Sequence, residues 1–149
     1  MKRNILLICC LLICSLKMFS QKIEVMKLTE SEIPKEYKLT EESQCKSIQA
    51  STFFKNPKMY EMIYGKIKSK EIQNFESSKD CGSILYLEFE EKFESESFVK
   101  SLLWGKSDKP TNKNPEEIYF KNNVLIIWSF DKESELKKLS KIKVEAEKK

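Results

Sequence analysis

The stretch Glu117–Phe130, Glu-Ile-Tyr-Phe-Lys-Asn-Asn-Val-Leu-Ile-Ile-Trp-Ser-Phe, constrains the fold more than any other part of the chain. It reads as two short strands joined at Asn122-Asn123, because asparagine tolerates the positive φ that a two-residue hairpin turn requires. That turn sets Phe120 opposite Leu125 and Ile118 opposite Ile127, so four large side chains share one face. Tyr119, Ile126 and Trp128 line the other. A strand apolar on both faces, such as Val124–Trp128, belongs inside a sheet that is covered on both sides.

The first twenty residues read as an address. Lys2 and Arg3 precede an almost wholly apolar run, Ile5–Leu16, and polar Lys17-Met18-Phe19-Ser20-Gln21 follows. A charged start, a short apolar core and a small residue near the exit make a secretory signal peptide. The run is shorter than the roughly 20 apolar residues of a spanning helix, although an uncleaved anchor is the competing reading. Phe19-Ser20-Gln21 resembles the exit of Bacteroidota signal peptides; this is the resemblance of a targeting segment and implies nothing about the domain behind it. Leu11-Leu12-Ile13-Cys14 looks superficially like a lipoprotein site, which would anchor the chain through Cys14. Ile13, however, stands where such sites have a small residue. The expected division is therefore a signal peptide at 1–20 and one α+β domain at 21–149 with a frayed C-terminal tail. After cleavage no membrane span is expected, and the protein is periplasmic or secreted.

Cleavage would also remove most of the basicity. Lys2, Arg3 and Lys17 carry three of the four net positive charges, and Arg3 is the sole arginine of the chain. A domain without guanidinium groups has no bidentate reader for guanine edges or phosphates, so nucleic acid is not an expected partner. Of five cysteines, three fall in the first twenty residues and two, Cys45 and Cys81, in the domain. In an exported chain these two most economically form one disulfide, the alternative being two separate buried thiols.

Weaker signals fill the rest. Lys22–Leu28 suits an early or edge strand, Ile33-Pro34 a break, and Tyr37–Thr40 a short strand. Glu41–Ala50 is loop or weak helix. Asn56 as N-cap, Pro57 at the first position and Gly65 beyond the end predict a helix over Asn56–Tyr64, with Met59, Met62 and Ile63 on one face. A strand through Ile72 and Phe75 and a turn at Ser77–Gly82 come next. Ser83–Glu90 alternates as a strand with one wet side, and a helix capped by Ser95 ends at Gly105. Lys106–Pro115 is an exposed connection. Asp131 is expected to cap a last helix that docks through Leu136, Leu139 and Ile142. Together these elements predict an antiparallel sheet with a central hairpin near 117–130, packed by two or three helices on one or both faces.

The chemistry is bounded chiefly by absence. The chain has no histidine, which removes Ser-His-Asp and Cys-His nucleophilic sites and His-bearing metal sites. Two cysteines alone do not complete a zinc site. Gly105-Lys106-Ser107 has the end of a P-loop without its first glycine, since Lys100 stands there, and without the preceding strand. Glu88, Glu90, Glu91, Glu94 and Glu96 make the densest acidic group; a calcium or carboxylate-pair site is weighed against a solvated strand face, and the solvated face is preferred. Trp104, Trp128, Tyr60, Tyr64 and Tyr86 fit a core better than a ligand groove. The expected function is a non-catalytic binding module for a protein or small-molecule ligand, with no cofactor, metal or catalytic residues. The alternatives are an inhibitor or immunity-type partner of a secreted enzyme or toxin, and a histidine-free hydrolase using carboxylates or a Ser–Lys pair. A converging set of ionisable groups in a cleft would favour an enzyme; an exposed apolar patch would favour a binding module.

Overall fold

A computed structural model describes residues 21–43, 45, 47–130 and 133–147. The expected signal peptide and the expected Asp131 cap lie outside the described residues. Strands β1 (Lys38–Thr40), β2 (Ile67–Glu76), β3 (Cys81–Phe89), β4 (Glu117–Lys121) and β5 (Val124–Phe130) form one sheet in the order β1-β2-β3-β5-β4. Every neighbouring pair is antiparallel. Helices α1 (Gln21–Glu24), α2 (Ile48–Lys55), α3 (Glu61–Tyr64), α4 (Glu96–Trp104) and α5 (Glu135–Ala146) surround it, with a 3-10 turn at Pro57–Tyr60. The fold is α+β.

The β4–β5 hairpin has the register its side chains dictate. Phe120 pairs with Leu125 and Ile118 with Ile127, and Asn122 takes the positive φ of the turn at 54°. All of β5 is buried. One sheet face packs Ile84, Tyr86, Ile126 and Trp128 against Ile23, Met26 and Leu28 and against Leu136 and Val144 of α5. The other packs Leu85, Leu87, Leu125 and Ile127 under Phe53 of α2, Tyr64 of α3 and Val99 and Leu103 of α4. Fully burying side chains of this size contributes about 1.5–3 kcal/mol each.

Covering both faces overturns the expectation of one wet side on β3. Ile84 and Tyr86 are as buried as Leu85 and Leu87, because 23–28 and α5 close over the face that alternation alone assigns to water. The expected strand at Lys22–Leu28 is instead a helical turn: the Ile23 carbonyl accepts from the amides of Met26 (3.0 Å) and Lys27 (3.1 Å). The backbone of Leu28 is then held by a side chain, with Gln73 Oε1 accepting from its amide at 3.1 Å and Gln73 Nε2 donating to its carbonyl at 2.8 Å. One primary amide does for Leu28 what a neighbouring strand would otherwise do.

Helix boundaries shift for equally local reasons. Ser134 caps α5, its hydroxyl accepting from the Lys137 amide, and Ile142 is exposed while Ser140 and Val144 are buried. The docking stripe is 136–140–144, a clean i, i+4 series. The tail is helical to Ala146. Ser95 stands at the start of α4 but makes no capping bond of its own. Gly82 has no room for a Cβ, which would run into the Phe130 ring and the Ser129 carbonyl oxygen across the β3–β5 ladder. That close approach is what a glycine inside a strand permits.

Candidate functional site

The expected Asn56–Tyr64 helix forms in two pieces, and the break decides which side chains face outward. Pro57–Tyr60 is a 3-10 turn for which Asn56 makes no side-chain cap, and α3 follows at Glu61 and ends at Gly65. A 3-10 turn advances 120° per residue rather than the 100° of an α-helix, so the facing positions change phase across the junction. Tyr60 and Tyr64 turn inward instead of Met59, Met62 and Ile63. Their rings join Phe53: centroids lie 4.9 Å apart for Phe53–Tyr60, 5.2 Å for Phe53–Tyr64 and 5.5 Å for Tyr60–Tyr64. Phe93 extends the cluster, 6.0 Å from Tyr64 and stacked on Phe120 at 5.2 Å. Three large rings satisfy the core, and the aliphatic side chains are left outside.

Met62 is 100% exposed, Met59 66%, Ile63 43% and Phe98 38%. Phe98 of α4 belongs to the same face, its ring 5.6 Å from Tyr64, and the Ser95 hydroxyl donates to the Ile63 carbonyl, fixing α3 against the start of α4. Beside Met59 lies an open depression of about 410 Å³ lined by Lys55, Asn56, Pro57, Lys58, Met59 and Lys70. Lys70 is held in place by donating to the Phe54 carbonyl while its ammonium sits 4.6 Å above the Phe54 ring. The result is an apolar, methionine-bearing face edged by three lysines. Unbranched methionine adapts its shape to what it meets, which suits it to interaction surfaces.

The acidic group of the sequence does not converge. Glu90, Glu91, Glu94 and Glu96 are exposed, whereas Glu88 is buried and not on a solvated face. Its Oε1 pairs with Lys68 Nζ at 3.0 Å and lies 3.4 Å from Asn123 Nδ2, and its Oε2 accepts from Ser69 at 3.2 Å. Asn123 also donates to the Phe89 carbonyl at 2.9 Å, so Glu88 ties the hairpin turn to the ends of β2 and β3. Three internal donors take most of the roughly four acceptor sites of a carboxylate. Lys68, Ser69 and Glu88 are thus a Ser–Lys–carboxylate set used for structure. Among the described residues no group of three or more His, Cys, Asp or Glu is placed to hold a metal.

The remaining sequence candidates go elsewhere. Cys45 and Cys81 form a disulfide, with Cα atoms 5.6 Å apart, that ties the segment before α2 to the start of β3. Gly105 ends α4 with φ 63°, and no phosphate-binding loop is built there. Tyr60 and Tyr64 belong to the aromatic cluster just described, and the other aromatic candidates are also in the core. Trp104 Nε1 donates to the Glu116 carbonyl at 2.9 Å, Trp128 Nε1 to Ser140 at 2.9 Å, and Tyr86 to Gln73 at 3.0 Å. Burial pushes the Tyr86 phenol well above its usual range. The exposed apolar face was not legible beforehand, because an i, i+3, i+4 spacing of apolar residues reads as a core stripe. The signal that could have separated them was the parallel Phe53–Tyr60–Tyr64 series, whose larger rings outcompete methionine for the interior.

No protein-family model matches the chain, and neither a curated protein nor a solved structure shows significant similarity to it.

Proposed function

We propose that the protein is an exported, disulfide-stapled binding module that docks a partner protein through Met59, Met62, Ile63 and Phe98. The observation that carries this reading is the full exposure of Met62, with Met59 and Ile63 exposed on the same short segment and Phe98 on the adjoining α4. Single exposed apolar residues are ordinary, but a contiguous group on one face is a recognised mark of an interaction surface. Lys55, Lys58 and Lys70 at its edge call for a partner with an apolar ridge and acidic flanks, and such rim charges act mainly on encounter rate and specificity. Export is supported by the Cys45–Cys81 disulfide, a bond that persists in oxidising compartments, together with the apolar run at 5–16. Among the described residues no helix is long and apolar enough to cross a membrane.

The docking surface is tested by placing a photo-crosslinking side chain at position 62 and, as a control, at Ile142, an apolar position on α5 that at 65% is as exposed as Met59. In the native host, position 62 is expected to give one discrete adduct outside the cytoplasm and position 142 none. A companion Met62→Asp, Ile63→Asp variant should keep its unfolding midpoint, since exposed substitutions usually stay within about 0.5 kcal/mol, while competing at least tenfold less well for that adduct. No adduct at position 62, or the same adducts at both positions, sinks the proposal.

A further inference from the structure

The fold divides the methionines of the described residues into two kinds. Met26 is 4% exposed and packs with Ile23 and Leu28 on one face of the sheet. Met59 and Met62, at 66% and 100% exposure, both stand on the docking face. Tyr60 and Tyr64 take the inward positions of the 3-10 turn and α3, where they meet Phe53. The two thioethers beside them are left to solvent, and neither belongs to the core on either side of the sheet.

Of the four apolar side chains on that face, the two thioethers are the ones that a mild oxidant converts. Methionine sulfoxide is polar, and its S=O accepts hydrogen bonds where the thioether barely does. In the free protein such a group is easily accommodated. At Met62 it is fully hydrated, and at Met59 it lies beside a depression that Lys58 and Lys70 also line, so N–H donors are close by. Under a docked apolar ridge the same S=O loses its water and meets no donor, which is costly. The penalty therefore falls on the complex and not on the fold.

We propose that Met59 and Met62 are a reversible oxidation site, and that sulfoxidation of the pair releases the docked partner. Release rests on the docking reading above; the modification itself rests on the exposure of the two sulfurs. The oxidant is a peroxide. A sulfur lone pair forms an S–O bond with one peroxide oxygen as the O–O bond breaks. Sulfur loses two electrons, the peroxide is reduced, and the departing hydroxide takes the proton shed by the transferred oxygen and leaves as water. Methionine sulfoxide reductases reverse the change. A docked partner covers the same sulfurs, so docking and oxidation oppose each other.

Hydrogen peroxide treatment of the disulfide-intact protein, followed by peptide mapping and thermal unfolding, tests the modification. Met59 and Met62 should each gain one oxygen about tenfold faster than Met26, with the unfolding midpoint unmoved. Oxidation of Met26 at the same rate, or a midpoint that falls as Met59 and Met62 react, overturns the site. Release is read separately, from a photo-crosslinking side chain at Lys58, which is exposed at the rim and leaves both methionines in place. In envelope or medium fractions of the host, the partner adduct should fall about tenfold after peroxide and return after treatment with the reductases for both sulfoxide epimers. A Met59→Leu, Met62→Leu variant, which keeps the face apolar, should hold its adduct through the same treatment. An adduct that survives sulfoxidation of both residues, or an equal loss in the leucine variant, overturns release and leaves the docking reading standing. An adduct absent even before peroxide sinks the docking reading and release with it, and the mapping still decides the modification.

Discussion

Replacing both Cys45 and Cys81 by serine is expected to lower the unfolding free energy by about 3–4 kcal/mol, the chain-entropy value for a loop of this length. The bond spans 36 positions and encloses α2, the 3-10 turn, α3 and β2. Its two short helices are the elements least able to hold themselves. α2 has eight residues and α3 four, below the length at which an isolated helix is stable in water. Reduction should therefore free α2 and the methionine face before it disturbs the β3–β5 pair. Urea unfolding with and without reductant measures the loss, and amide exchange locates it. An unchanged midpoint on reduction would mean that packing under Phe53 and Tyr64 alone fixes the segment.

A second large effect is expected at Glu117. Lys137 on α5 is almost wholly buried, its side chain 4% exposed, and its ammonium lies 2.9 Å from Glu117 Oε1. Lys141 shares the same carboxylate at Oε2. Burial alone would raise the Glu117 carboxyl, but the hydrogen bonds and charges of Lys141 and Lys137 outweigh it and hold the group below the usual carboxylate range. Glu117→Ala strands a buried ammonium and should cost about 3 kcal/mol or more, the range for breaking a buried pair from one side. Lys137→Met removes the buried charge while Lys141 still answers Glu117, and should fall within about 1 kcal/mol of the unaltered protein. The asymmetry is what a simple count of ion pairs does not predict, and two denaturation curves measure it.

The same pair sets a pH dependence with a definite sign. A carboxyl with its pKa depressed on folding stabilises the fold at pH values above its unfolded pKa, and that contribution is lost as pH falls through the folded one. Glu32, which joins the 23–33 segment to Lys143 of α5, behaves likewise. Its carboxyl is lowered to about 2, first by the Lys143 hydrogen bond and then by the amide and hydroxyl of Thr29. Being substantially exposed it contributes less than Glu117. Thermal stability should therefore fall as pH drops from about 4.5 towards 2, and Glu32→Gln should flatten part of that slope.

How far the sequence foretold this structure depended on whether a signal was local. The hairpin was legible because register follows from Asn122-Asn123 and from four side chains that must share a face. The disulfide was legible from cysteine arithmetic. Three things were not. The second cover on β3 comes from 23–28 and from α5, distant in sequence and joined by the Glu32–Lys143 pair and by Gln73, a side chain doing a strand's work. The outward turn of Met59, Met62 and Ile63 depends on a 3-10 turn whose phase no apolar spacing reveals. The polar row in which Thr40 pairs with Asn74, Asn74 with Ser83 and Ser83 with Ser129 exists only in the registers of three strand pairs, so each residue by itself reads as an ordinary polar position.

Export and closure by one disulfide belong together in the proposed function. Intact mass of the protein recovered from envelope and medium fractions of its host, alkylated before and after reduction, tests this most directly. A mass beginning near Gln21, with two alkyl groups gained only after reduction, is the result expected. A full-length chain held in the membrane with Cys45 and Cys81 alkylated at once would contradict it, turning the apolar run at 5–16 into an anchor and removing the staple from the fold.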